Sequence, residues 1–110
     1  MPTKGEVWLV DIAETVGHEQ YGTRPAIILA EITHYLIVIL VPVTKNMNMG
    51  SAPFTVMIEP TSSNGLTVPS VALALQIRAV DRRRLVRRVG VLDQADLDRL
   101  NAQLKAMLQL

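Results

Sequence analysis

The sequence has 110 residues, the size of one domain, so residues 1–110 are expected to fold as a single unit; two halves would each be short of a core. Hydrophobic residues make up 49% and charged residues 19%, which excludes a disordered or collagen-like chain. Eleven Lys and Arg against ten Asp and Glu give a net charge of +1, and the lack of cysteine excludes a disulfide scaffold, a thiolate metal site and a Cys nucleophile, in keeping with a reducing compartment.

The start, Met1-Pro2-Thr3-Lys4-Gly5-Glu6, lacks the charged region and apolar run of a secretory signal, so the mature chain is expected to begin here. Glu6 to Asp11, rich in Val, Leu and Trp, reads as a first strand, and the polar stretch from Ala13 to Thr23 reads as a loop. Pro25 to Ile32 and Tyr35 to Val43 are buried, β-branched runs separated by Thr33-His34, which predicts an antiparallel hairpin with His34 as a turn residue. The second run is about half the ~20 residues that a membrane-spanning helix needs, so no membrane span is expected. Thr44 to Ala52 reads as another loop, Phe54 to Glu59 as a short strand, and Pro60 to Gly65 as a dense turn cluster. Ser70 to Ile77 and Leu85 to Leu92 then read as two more strands joined across an arginine-rich turn.

After Asp93, an N-cap residue type, the period changes. Leu97, Leu100, Leu104, Met107 and Leu108 recur at helical spacing, with Asp96 and Asp98 at the positive end and Lys105 near the negative one. Five or six short strands and one terminal helix, without a strand–helix alternation, predict a mostly β fold: a small antiparallel barrel of the SH3-like or oligonucleotide-binding sort. Its edges and outer helix invite a partner, so a dimer is expected.

Two regions carry candidate chemistry. Arg78, Arg82, Arg83, Arg84, Arg87, Arg88 and Arg99 hold seven of the eleven basic charges, which is either an electrostatic footprint for phosphate backbones or a solvated strand face. The loop Gly17-His18-Glu19-Gln20-Tyr21-Gly22-Thr23-Arg24-Pro25 brings an imidazole, a carboxylate, a carboxamide and a guanidinium together between glycines. Pro25 biases Arg24 to an extended backbone where loop becomes scaffold, a good place to fix a cation; the plain alternative is a solvated loop with Arg24 paired to Glu19.

Four blocks in order, Gly5-Glu6-Val7-Trp8, then Gly17-His18-Glu19-Gln20 with Gly22-Thr23-Arg24-Pro25-Ala26, then Val41-Pro42-Val43-Thr44, then Gln76-Ile77-Arg78-Ala79-Val80-Asp81 with Arg84-Leu85, resemble the MazF/PemK family of toxin endoribonucleases over nearly the whole chain. The resemblance implies a small SH3-like barrel of the MazF/CcdB/Kid toxin type with a C-terminal helix, forming a homodimer in the bacterial cytoplasm. It also implies sequence-selective, metal-independent cleavage of single-stranded RNA, with no cofactor, leaving a 2′,3′-cyclic phosphate and a 5′-hydroxyl. The implied protein partner is a cognate antitoxin whose flexible tail blocks the RNA groove. Arg24 and Thr44 match the family's catalytic residues, and His18 matches a residue implicated in some members.

The residue chemistry agrees with that reaction. Attack of a 2′-hydroxyl on phosphate needs a proton acceptor, donors for the phosphorane oxygens and a proton for the leaving 5′-oxygen. A guanidinium at Arg24 offers a planar fork of donors matched to phosphate, Thr44 adds a hydroxyl, and His18 has the one side chain in its loop whose ordinary pKa, ~6.5, suits proton transfer. Glu19, Gln20, Tyr21, Lys45, Asn46, Gln76 and Arg78 are expected to touch RNA, Tyr21 by stacking and the Thr44 to Ala52 loop as a cover of the groove, while Trp8 reads as core. Leu75 stands where the family commonly carries Asp or Glu, with Leu73 expected on the same strand face and Gln76 on the opposite one. That departure leaves open a non-nuclease alternative of the same fold: a gyrase-poisoning toxin, or a catalytically silent RNA or antitoxin binder.

Overall fold

The computed structural model describes residues 2–12 and 22–110. Alternating Val, Leu and Ile residues build strand β1 (Glu6–Ile12), and β2 (Gly22–Ile32) pairs antiparallel to it with Leu9 opposite Pro25 and Val10 opposite Arg24. The predicted hairpin is present. A 3-10 turn at Thr33–Tyr35 holds His34, whose ring meets Tyr35 edge-on at 5.0 Å, and Leu36 then takes a left-handed φ of 56°. Strand β3 therefore begins at Ile37 (Ile37–Thr44) and not at Tyr35, because the left-handed residue turns the chain back.

Beyond β3 come a 3-10 turn at Met47–Ser51, β4 (Thr55–Ile58) and β5 (Ser70–Leu73). The expected single strand from Ser70 to Ile77 is broken. Leu73 is the last residue of β5, Ala74–Gln76 form a 3-10 turn, and a separate strand β6 (Arg78–Asp81) follows. The break serves the pairing of β3: its first half, Ile37 to Leu40, pairs β6, and its last residues, Val43 and Thr44, pair β5. Pro42, with no N–H to give, sits between the two ladders. After a 3-10 turn at Arg82–Arg84, β7 (Leu85–Val91) pairs β1, and helix α1 (Gln94–Leu108) closes the chain. Among the described residues seven strands thus stand in place of the five or six expected, in the order β4-β5-β3-β2-β1-β7 with β6 beside β3, all antiparallel; the SH3-like label fits this arrangement loosely.

The central strands are apolar on both faces. On one side Val7, Ile27, Val41 and Val43 pack with Val56, Ile58 and the helix residues Leu100 and Leu104. On the other, Val10, Ile12, Ala26, Ile28, Val38 and Leu40 meet Val80, with Trp8 and Leu85 half-buried against them. Trp8 is thus core at its ring face, while its indole N–H donates to Glu6 Oε1 at 3.0 Å. Of the helix's apolar stripe, Leu108 remains exposed. Asp93 has the extended backbone of an N-cap, yet its carboxylate accepts the Ser63 hydroxyl at 2.8 Å and makes no capping hydrogen bond. Among the described residues no helix is long and apolar enough to cross a membrane.

Candidate active site

A cleft of about 360 Å³ opens where β1, β2, β3 and β7 meet the β4–β5 connection. Arg24 and Thr44 both line it. The hairpin register explains why residues so far apart in sequence converge: the ladder ends with Ala26 facing Pro42, and Arg24 and Thr44 each lie two residues beyond that pair, at the same end of the hairpin. Antiparallel neighbours opposite one another project to the same side of a sheet. Lys45 and Asn46 continue the lining from the end of β3.

Thr44 is buried to 7% exposure, and its hydroxyl oxygen accepts the Asn46 N–H at 3.1 Å. That contact occupies a lone pair and leaves the hydroxyl proton without an acceptor among the described residues, ready to be donated to a ligand. Asn46 uses its own Oδ1 to accept the Asn48 N–H at 3.1 Å, fixing the 3-10 turn that follows. The Thr44 to Ala52 segment is consequently a tied turn, with only its first residues at the cleft.

The opposite wall is Gly65, Leu66, Thr67 and Val68, and it is held from behind. Asn64 is fully buried; its Nδ2 donates to the Glu59 carbonyl at 2.9 Å, and its Oδ1 accepts the N–H groups of Thr61 and Leu66 at 3.2 and 3.0 Å. Gly65 has φ +74°, and a Cβ there would lie 2.3 Å from the Val89 carbonyl oxygen, so only glycine lets the loop sit on β7. The floor is apolar, with Leu9, Pro25, Val43 and Val89, and the polar rim has Thr23, Ser70 and Arg87. No carboxylate or imidazole is among the described lining residues, so the arrangement offers donors and cations for an anion but no proton acceptor of its own.

The other expected site residues divide. His18, Glu19, Gln20 and Tyr21 lie outside the described residues. Gln76 and Arg78 do not line the cleft: Gln76 belongs to the 3-10 turn after β5, and Arg78 pairs with Leu40 on β6. Leu73 and Leu75 do not share a face. Leu73 is wholly buried and Leu75 is 44% exposed, because the strand ends between them and a 3-10 turn has no two-residue alternation. The departure at Leu75 therefore falls outside the cleft.

The arginine cluster also resolves into parts. Arg82 pairs Glu31 at 3.0 Å, Arg83 pairs Asp81 at 2.9 Å, Arg88 pairs Glu6 at 3.0 Å and Arg99 pairs Asp96. Arg84 donates to the Asp11 carbonyl at 3.4 Å. The hydrogen bonds and charge of Arg83 lower Asp81 to about 2, and Asp81 in turn raises Arg83. For Glu6, burial pushes the carboxyl up, but hydrogen bonds from Trp8 and Thr3 and the charge of Arg88 outweigh it and hold the group below its ordinary value. Most of the cluster is thus a solvated, internally neutralised face. Arg87 is the member that lines the cleft, and sequence reasoning did not separate it from its neighbours.

Comparison with known proteins agrees with this architecture. The profile of the PemK-like, MazF-like toxins of type II toxin-antitoxin systems matches residues 3–108. The chain is 33% identical to Endoribonuclease MazF9 of Mycobacterium tuberculosis, over 100% of this chain and 98% of that protein. It is 29% identical to Endoribonuclease EndoA of Bacillus subtilis, over 97% and 94% respectively. Among solved structures, MazF of Deinococcus radiodurans superposes with a TM-score of 0.81 at 26% identity, covering 99% of this chain and 97% of that one.

Proposed function

Since this chain belongs to the PemK-like, MazF-like toxin family of type II toxin-antitoxin systems, we propose that it is an endoribonuclease toxin that cuts single-stranded RNA at short sequences without a metal ion. One observation carries the reading: Arg24 and Thr44 line one cleft of about 360 Å³, which has room for a phosphodiester and its flanking sugars.

In the proposed reaction the ribose 2′-oxygen attacks the adjacent phosphorus, a P–O2′ bond forms and the P–O5′ bond breaks. The products are a 2′,3′-cyclic phosphate and a free 5′-hydroxyl. Arg24 donates two parallel hydrogen bonds to the non-bridging oxygens, where negative charge grows in the phosphorane, and Thr44 donates its unused proton to the same group. The Asn46 N–H, by holding the Thr44 oxygen, fixes the direction of that donation before substrate arrives. Proton transfer is assigned to His18, which accepts the 2′-hydroxyl proton and as imidazolium supplies one to the departing 5′-oxygen. Lys45 and Asn46 hold the strand at the rim, with Glu19, Gln20 and Tyr21 reading bases; Gln76 and Arg78, away from the cleft, are assigned to flanking nucleotides. The protein works as a homodimer in the cytoplasm, and the flexible tail of its antitoxin competes with RNA for the cleft.

The test uses purified protein, a long single-stranded RNA and a chelator. Discrete cuts ending in cyclic phosphate are expected, and Arg24→Ala and Thr44→Ala should abolish them while melting like the unaltered protein. Intact RNA, or an unchanged cutting pattern from Arg24→Ala, overturns the proposal.

A further inference from the structure

Arg87 sits on β7 where strand alternation alone would not put it. Val10 faces Leu85, yet the next residue back on β1, Leu9, faces Arg87, so β7 carries one extra residue, Val86, at this point. Continued from the Val10–Leu85 pair, a regular ladder would have set Val86 opposite Leu9; a second shift, between Val7 and Trp8, closes the short regular stretch of Trp8–Arg88 and Leu9–Arg87 at its other end. The bulge instead turns Val86 to solvent, where it is 56% exposed, and brings Arg87 to the cleft side beside Leu9 and Pro25. Bulges on edge strands commonly re-aim a side chain, and β7 is an edge of this sheet.

The re-aimed guanidinium has no structural role to explain it. Arg82, Arg83, Arg84, Arg88 and Arg99 are tied to Glu31, Asp81, a carbonyl, Glu6 and Asp96, whereas Arg87, which unlike Arg78 lines the cleft, has no hydrogen bond or carboxylate within reach among the described residues. It lies above an apolar floor of Leu9 and Val89, and a cation aimed at apolar surface calls for an anionic ligand.

Its distance from Arg24 says which anion. Leu9 stands in register between Pro25 and Arg87, so β1 separates the two arginine-bearing strands. Neighbouring strands lie roughly 4.8 Å apart, which puts those backbones on the order of 10 Å from each other, more than one phosphate group spans. The geometry points to Arg87 as a second phosphate-holding residue, which grips the phosphodiester next to the one that Arg24 and Thr44 act on and so fixes the direction in which the strand crosses the cleft. This rests on the endoribonuclease reading above, and it concerns a residue that binds substrate without touching the reacting atoms.

The experiment is a cycle between protein and RNA. A short RNA spanning one mapped cut site, with 2′-O-methyl groups to prevent cleavage, is made with a single neutral methylphosphonate at each linkage in turn, and its binding is measured against the unaltered protein and Arg87→Gln. Arg87→Gln should weaken the all-phosphate RNA about five- to tenfold, reduce the salt slope by about 0.7, the value for one lost phosphate contact on a single strand, and raise KM more than it lowers kcat. The methylphosphonate beside the cut site should cost affinity with the unaltered protein and nothing further with Arg87→Gln, while substitution at the cut site itself should weaken both equally. Equal losses at every linkage, or coupling of Arg87 to the cut phosphate, overturn the assignment while cleavage by the unaltered protein leaves the nuclease reading standing. An unaltered protein that neither binds nor cuts RNA overturns both.

Discussion

Replacing Gly65 by alanine tests how one wall of the cleft is held. Two costs act there. The backbone stands at φ +74°, a left-handed conformation that costs an L-residue roughly 1–2 kcal/mol. The new Cβ would also lie 2.3 Å from the Val89 carbonyl oxygen and 2.7 Å from its carbon, and because both are backbone the loop itself must lift off β7. Overpacking of this kind costs about 1–3 kcal/mol, so the sum is about 2–5 kcal/mol. Gly22 is the natural control, since it has φ +82° but nothing within 4 Å of the added Cβ, and carries only the first cost. Urea unfolding of both variants at pH 7 should therefore place Gly65→Ala about 1–3 kcal/mol below Gly22→Ala. Gly65→Ala should also lose RNA cleavage at denaturant-free conditions where it is still folded, because Leu66, Thr67 and Val68 move with the loop. Equal destabilisation by the two substitutions would show that the close approach to Val89 does not constrain the wall.

Other outcomes follow from the same contacts. Thr44→Val keeps the shape but removes the donor, and should lower kcat by about 10²–10³ with the melting temperature nearly unchanged, while Thr44→Ser retains most of the rate; single-turnover cleavage distinguishes the two. Asn64→Ala leaves the Thr61 and Leu66 N–H groups and the Glu59 carbonyl short of partners in a buried site and should cost about 2–4 kcal/mol by urea titration. Leu100→Ala, at a fully buried position between helix and sheet, should cost about 2–5 kcal/mol in the same assay. Glu6 is held below its ordinary value of 4.5 when folded, so its ionised form stabilises the protein fully above that pH and loses the contribution as pH falls through the lowered value. The stability gap between the unaltered protein and Glu6→Gln, measured by denaturation from pH 7 downwards, should accordingly close in the acid range; a constant gap would mean that the Arg88 and Trp8 contacts do not depend on the charge.

Much of the site is legible because a hairpin is a local object. Once the run starting at Pro25 and the run ending at Val43 are read as adjacent antiparallel strands, the register that brings Ala26 to Pro42 leaves Arg24 and Thr44 at the same end of the hairpin. The apolar spacing of Leu97, Leu100 and Leu104 likewise announces the helix. What is not legible depends on departures from regular period. Arg-Ala-Val-Asp at 78–81 has no hydrophobic alternation and becomes a strand only because β3 offers it an edge. Leu73 and Leu75 look alike in a two-residue repeat, yet a 3-10 turn sends one inward and the other outward. Arg87 and Arg88 look like one charge run, and the bulge at Val86 that sets which of the two faces the cleft leaves no signature in residue type. Asp93 suits an N-cap by composition, but the Ser63 hydroxyl competes for it from a loop that sequence spacing does not bring near.

The sheet that is greasy on both sides has a consequence for how such a protein diversifies. A substitution at any inner position of its middle strands disturbs one interior or the other, which confines tolerated change to the lips of the cleft: the turn after β3, the segment resting on β7 and the bulged edge strand. Preference for one nucleotide sequence over another is then free to drift residue by residue at those lips, above a foundation that hardly moves.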